Sequence, residues 1–161
     1  MDEEYDSDEP GMMPPAKSAK SFLVVAGCYT IFIVGLFGSF IIVTRYFFPD
    51  IFAILQDQEI VKTTMENNPE SILTRELFWS WLATNALLCC LIGWFAAKAA
   101  PFGKFGHAVF LAILIFVSGL QQAIGADQAL KWMFVLMMAV LPITVLIGAR
   151  VAVSRENDQQ H

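Results

Sequence analysis

The run Leu77–Ala97 constrains the fold of this chain more than any other stretch, because it contains no Asp, Glu, Lys or Arg over 21 residues. A helix rises about 1.5 Å per residue, so this run reaches about 30 Å, the thickness of a bilayer's hydrocarbon core. Trp79 and Trp81 lie at one end and Trp94 toward the other, as expected for aromatic residues at the two membrane interfaces. The run therefore predicts a transmembrane helix.

Three further apolar runs repeat this pattern, and the composition agrees with it. The chain is 57% hydrophobic and 16% charged, against about 45–50% and about 25% in soluble domains. Long uncharged runs suit lipid as their solvent. We therefore predict an all-α fold, a four-helix transmembrane bundle over residues 21–153. The predicted spans are about 21–48, 77–97, 106–123 and 132–153.

The two ends of the chain differ in composition from the spans. Residues 1–20 carry six acids within the first nine positions and then a proline-rich stretch, which predicts a disordered cytoplasmic tail. Such an acidic cluster can bind a basic partner, although a solvated tail is the better reading. An acidic start also differs from the basic start of a secretory signal. Residues 154–161 predict a second polar cytoplasmic tail.

The longest loop joins the first two spans and covers residues 50–76. In its first part, apolar residues recur at helical spacing from Ile51 to Met65, with charged residues between them. This pattern predicts one short amphipathic helix, ended by Asn68 and Pro69. Six acids in the loop can attract a cation. Their irregular spacing lacks the pattern of a calcium loop and favours a solvated surface.

Small residues recur along the spans at spacings that let helices approach closely. In the second span, Asn85 begins a seam of small or polar residues repeated every four positions. Asn85 predicts an interhelical hydrogen bond, with a ligand contact as the alternative. The candidate helix-packing or polar contacts are Asn85, Cys89, Gly93, Ala97, Gly35, Ser39 and Gly148.

Two short sequences echo each other in the second and fourth spans. Leu91-Ile92-Gly93 is followed by Lys98, and Leu146-Ile147-Gly148 is followed by Arg150. The echo raises the hypothesis of a duplicated helical hairpin. Three matching residues are too few to establish it.

Reactive side chains are sparse in the predicted spans. The three cysteines all lie inside them without a CxxC spacing, which favours packing over a zinc or redox site. His107 has no second metal ligand at a suitable spacing, so an interfacial residue is favoured over a pH sensor or metal ligand. With Lys98 and Lys104, it is a candidate for contact with lipid headgroups. We expect no catalytic residue, cofactor or metal, and nothing basic enough for nucleic acid.

The distribution of lysine and arginine predicts the orientation in the membrane. Six lie on the side of the two termini and the 98–107 turn, against four on the side of the long loop. We therefore expect both termini in the cytoplasm and residues 50–76 outside.

Three segments carry a resemblance: residues 91–101 (LIGWFAAKAAP), 105–108 (FGHA) and 141–149 (LPITVLIGA). In this part the chain resembles small uncharacterised four-helix bacterial inner-membrane proteins. Their second helix ends in a basic, glycine- and alanine-rich turn with proline, and their fourth has a proline before a glycine. The resemblance implies four spans and a bacterial cytoplasmic membrane. It implies no activity.

These features favour a non-catalytic accessory or assembly subunit that acts through helix–helix contacts. Its expected partners are the lipid bilayer and either further copies of itself or another membrane protein. The alternative is a small passive transporter or channel, which could form as an oligomer. Its solute would be neutral, because the spans lack the charges of an ion pathway. An enzyme ranks third, because catalysis needs a cluster of reactive groups.

Overall fold

The protein folds into six α-helices in the computed structural model, which describes residues 15–68, 71–126, 128 and 130–158. The helices are α1 (Pro15–Phe47), α2 (Pro49–Leu55), α3 (Gln58–Asn67), α4 (Arg75–Ala99), α5 (Lys104–Gly125) and α6 (Lys131–Asp158). Four of them, α1, α4, α5 and α6, are long and apolar enough to cross a membrane. The predicted all-α architecture with four spans is confirmed.

The spanning helices extend beyond the predicted spans at both ends of the chain. α1 begins at Pro15, so residues 15–20, assigned to a disordered tail, are helical. Proline suits a first helical turn, and the alanines and lysines that follow favour a helix. α6 likewise continues to Asp158. Residues 1–14 and 159–161 lie outside the described residues.

The predicted helical segment in the first loop is confirmed, and it is divided into two short helices, α2 and α3. Pro49 lies in the first turn of α2, which follows α1 after one residue. Asp57 separates α2 from α3, and its carboxylate accepts hydrogen bonds from the backbone N–H groups of Glu59 (3.0 Å) and Ile60 (3.2 Å). A side chain that caps α3 in this way starts a new helix rather than continuing the old one.

Removing the Asp57 cap is expected to loosen α3 alone. Asp57→Ala leaves two N–H groups without their acceptor, which costs about 1 kcal/mol locally and raises the opening of α3 about fivefold. Hydrogen–deuterium exchange of the α3 amides measures this opening. Asp57→Asn is the control, since asparagine caps equally well. Unchanged exchange in α3 would contradict the prediction.

The two loop helices differ in how they join the bundle. Ile51 of α2 packs with Val43 of α1, Leu77 of α4 and Ile72 of the preceding loop in a small apolar core. Of the described helices, α2 alone approaches α3. The loop therefore packs against the membrane domain through α2 and through Ile72.

The four long helices surround one main core, with α4 at its centre. α4 contacts α1, α5 and α6. Because successive spans alternate in direction, α4 and α6 run parallel, as do α1 and α5. The fully buried side chains of the core include Phe78, Leu111 and Val145. The candidate site lies where these helices touch.

Candidate functional site

The closest helix contact in the bundle is the glycine crossing, where Gly93 of α4 and Gly148 of α6 meet the opposite backbone. A Cβ atom added to Gly93 would overlap the carbonyl oxygen of Val145 and lie 2.8 Å from its carbon. One added to Gly148 would overlap the carbonyl oxygen of Cys90 and lie 2.7 Å from its carbon. Only the missing side chains let the two backbones approach so closely.

The glycine crossing is reciprocal. Each glycine faces the carbonyl that lies three residues before the other glycine. Between them lie Cys89 and Thr144, the positions four residues before each glycine, whose side chains are close enough to interact. The sequence echo therefore has a structural counterpart at this point. A duplicated hairpin would also relate the α4–α5 contact to a contact between α1 and α6. The structure lacks this symmetry, because α4 approaches α5 whereas α1 does not approach α6.

A second contact, the polar clamp, joins α1 to α4 through Ser39, Asn85 and Trp81. Asn85 Nδ2 donates to Ser39 Oγ (3.0 Å) and to the Trp81 carbonyl (2.8 Å). Trp81 Nε1 lies 3.1 Å from both Ser39 Oγ and the Leu36 carbonyl. Ser39 Oγ lies 3.0 Å from that carbonyl and 3.2 Å from Asn85 Oδ1, and donates to one of them at a time. The clamp is buried, with Asn85 fully so.

Two further hydrogen bonds join α1 to α5. The Tyr29 hydroxyl bonds Ser118 Oγ, and Ser118 Oγ also donates to the Leu114 carbonyl at 2.9 Å. Nearer the chain termini, Ser21 Oγ bonds His107 Nε2. Together with the polar clamp, these bonds place polar contacts at three levels along α1.

Tyr29→Phe is expected to weaken the α1–α5 contact without disturbing its packing. The phenylalanine ring keeps the shape but loses the bond to Ser118, worth about 0.6 kcal/mol in a membrane protein. Thermal unfolding in mild detergent measures the loss. The matched control is Tyr46→Phe, because Tyr46 is exposed on the same helix. Equal melting temperatures for the two variants would argue against a stabilising bond.

The other residues of the predicted seams lie at helix contacts. Cys89 and Ala97 are fully buried in α4. Gly35 of α1 faces the side chain of Leu88, so a Cβ atom there would meet the flexible end of a leucine rather than backbone. The seam of α4 thus faces α1 at Asn85 and α6 at Gly93.

The three candidate lipid-contact residues lie in different surroundings. Lys98 is exposed, and its Nζ lies 4.9 Å from the centre of the Trp94 ring, a cation–π distance. Lys104 is half-buried in the first turn of α5. His107, expected to lie at the lipid interface, is only 7% exposed and faces α1. Its Nδ1 lies 3.2 Å from the Gly103 carbonyl, so both ring nitrogens have partners within the protein.

Trp81 was predicted to mark a membrane interface, whereas it is 9% exposed and belongs to the polar clamp. Its neighbour Trp79 is 50% exposed. The sequence could have indicated this position, because Trp81 lies four residues before Asn85 and so shares its face of α4. Ser21 and Ser118 were also missed as polar partners, since their contacts join residues far apart in the sequence.

In the described part of the chain, reactive groups do not form a cluster, and the cavity between the spanning helices is small. Its cysteines are free thiols, and no three His, Cys, Asp or Glu residues are placed to hold a metal ion. A cavity of about 20 Å³ lies between α1, α5 and α6. A wider open cleft of about 270 Å³ lies beside Ser21 and His107 at the end of the bundle.

This arrangement defines an all-helical, multi-pass membrane protein whose spans are joined by a glycine crossing and buried polar contacts. Comparison gives no narrower identity: no known family, no curated protein and no solved structure matches the chain.

Proposed function

We propose that this protein is a non-catalytic accessory or assembly subunit that acts through helix–helix contacts in the membrane. The observation that carries the proposal concerns the buried polar side-chain atoms of the described residues, each of which has a hydrogen-bond partner. The buried polar side chains of these residues thus bond to other groups of the same chain and hold its helices together. Its surroundings in the membrane meet mainly apolar helix surface.

Each spanning helix contributes to that apolar outer surface. One residue from each helix illustrates it, all more than half exposed: Val34, Leu91, Val117 and Ile143. Such a surface contacts lipid, further copies of the chain or another membrane protein. The proposed partners are therefore the bilayer and a homo-oligomeric or heteromeric membrane neighbour, with no nucleic acid.

Native mass spectrometry in mild detergent tests the proposal on the full chain. We expect oligomers or a co-purifying membrane protein, whereas isolated monomers alone would overturn the proposal. Disulfide trapping then locates the contact, with one cysteine introduced at a time as Val34→Cys, Leu91→Cys, Val117→Cys or Ile143→Cys. The background is Cys90→Ala, because the native Cys28 and Cys89 are buried whereas Cys90 is partly exposed.

A passive route for a neutral solute is the competing function. The cavity of about 20 Å³ within the bundle is too small to carry a solute, so such a route would need an oligomer. Liposome flux that disappears in Asn85→Leu would favour this function over the first. Flux that is absent, or unaffected by Asn85→Leu, would leave the assembly role preferred.

We further place the protein in a bacterial cytoplasmic membrane with both termini inside. The resemblance suggests the membrane, and the excess of lysine and arginine on the side of the termini, six against four, supports the orientation. A C-terminal fluorescent-protein fusion should fluoresce, whereas a C-terminal alkaline phosphatase fusion should be inactive. An active phosphatase fusion would reverse the orientation.

A further inference from the structure

Pro142 interrupts the hydrogen bonding of α6 in the middle of its span. Proline has no N–H group, so the carbonyl of Met138, four residues earlier, lacks the donor that a regular helix supplies. The hydrocarbon core offers no bulk water to replace that donor. The Met138 carbonyl therefore needs a partner from elsewhere in the bundle.

The hydroxyl that follows the proline on the same helix serves a different carbonyl. Thr144 Oγ1 donates to the Leu141 carbonyl at 2.8 Å and also contacts Cys89. A hydroxyl has a single hydrogen to donate, so Thr144 is not available to Met138. Met138 faces α5, whose polar side chains Ser118 and Gln122 line a cavity together with it.

On that side lies the cavity of about 20 Å³, whose lining includes Met138 and, from α5, Ser118, Gly119 and Gln122. About 10–15 Å³ of such volume suffices for one water molecule, which also needs two to four polar partners. Ser118 Oγ donates to Leu114 and bonds Tyr29, and retains a lone pair as acceptor. The Gln122 side chain adds both a donor and an acceptor.

Gly119 keeps this space open. A Cβ atom at Gly119 would lie 3.3 Å from the Cβ and Cγ of Met138 and 3.5 Å from its Cα. The glycine thus brings the backbone of α6 next to the polar side chains of α5. An alanine there would crowd the cavity without overlapping the backbone.

We infer that this cavity is a binding site for one ordered water molecule. The water donates to the Met138 carbonyl that Pro142 leaves without a partner, and it hydrogen-bonds Ser118 and Gln122. It thereby joins α6 to α5 at the level of the helix break.

Two methionines of α6 provide an internal control for detecting this water. Met137 lines the cavity and Met133 does not, although both are almost fully buried, 6% and 4% exposed. X-ray radiolysis in aerated solution converts a bound water into a hydroxyl radical, which together with dissolved oxygen oxidises a nearby methionine to the sulfoxide. We expect several-fold more oxidation at Met137 than at Met133. Equal oxidation of the two would overturn the inference.

Two variants extend the test. Gly119→Ala is expected to displace the water and lower Met137 oxidation to the level of Met133. Gly106→Ala, on the same helix with open space around it, should leave oxidation unchanged. Undiminished oxidation in Gly119→Ala would count against the site. Should that variant fail to fold, a high-resolution structure of the wild-type protein decides: a water peak beside the Met138 oxygen supports the site, and an empty cavity refutes it.

Discussion

Gly148→Ala is expected to lower the free energy of unfolding by about 3 kcal/mol, an effect that only Gly93→Ala should match among alanine substitutions of the described glycines. The new Cβ would overlap the Cys90 carbonyl, which is helix backbone and cannot turn aside. The two helices must separate, and forced overpacking of this kind costs about 1–3 kcal/mol or more. Chemical or thermal unfolding in mild detergent measures the loss.

The same substitution elsewhere supplies the control. Gly27 of α1 is exposed and a Cβ there meets nothing within 4 Å, so Gly27→Ala should be neutral or stabilising by up to about 1 kcal/mol through helix propensity. Gly93→Ala should match Gly148→Ala, because their contacts are reciprocal. The double variant should cost less than the sum, since one separation relieves both overlaps. A Gly148→Ala protein as stable as Gly27→Ala would disprove the crossing.

Ser39→Ala is expected to cost about 1–2 kcal/mol, the second largest effect, by opening the polar clamp. It leaves Asn85 Oδ1, which is fully buried, without its donor. Asn85→Leu should cost less, because Ser39 and Trp81 then still bond the Leu36 carbonyl. Removing the hydrogen-bond partner of a buried polar group costs more free energy than replacing that polar group itself by an apolar one.

A double-mutant cycle isolates the clamp from general destabilisation. Combining Ser39→Ala with Asn85→Leu should cost less than the sum of the two by about 0.5–1.5 kcal/mol. Thr30→Ala on the same helix is the control, because Thr30 is exposed and its hydroxyl bonds only the Ala26 carbonyl of its own helix. Strict additivity of the Ser39 and Asn85 substitutions would show that the two side chains do not interact.

The spans and their number follow from the sequence because a bilayer imposes length and apolarity on each helix separately. The break at Asp57 was missed for a local reason: apolar spacing continued through it, although an aspartate before a helical run is also a cap. The α4 seam was visible as a four-residue spacing. That its glycine meets Gly148, 55 residues later, depends on how two helices rotate and cross.

His107 shows the same limit at the scale of one side chain. Its place at the start of α5 follows from the sequence, yet its rotation toward Ser21, 86 residues earlier, requires the fold. Trp81 and Trp79 are two residues apart and lie in opposite environments for the same reason. The position of a residue along a span can thus be predicted from the sequence, whereas the direction in which its side chain points depends on how the helices assemble.

The glycine crossing also orders events during biosynthesis. Its two helices are the second and fourth spans, and the third is made between them. α4 is therefore inserted before its partner, and Gly93 lacks its contact with the Val145 backbone until α6 has been made. The crossing therefore forms late, and a chain halted after α5 would leave the Gly93 face of α4 without its partner helix.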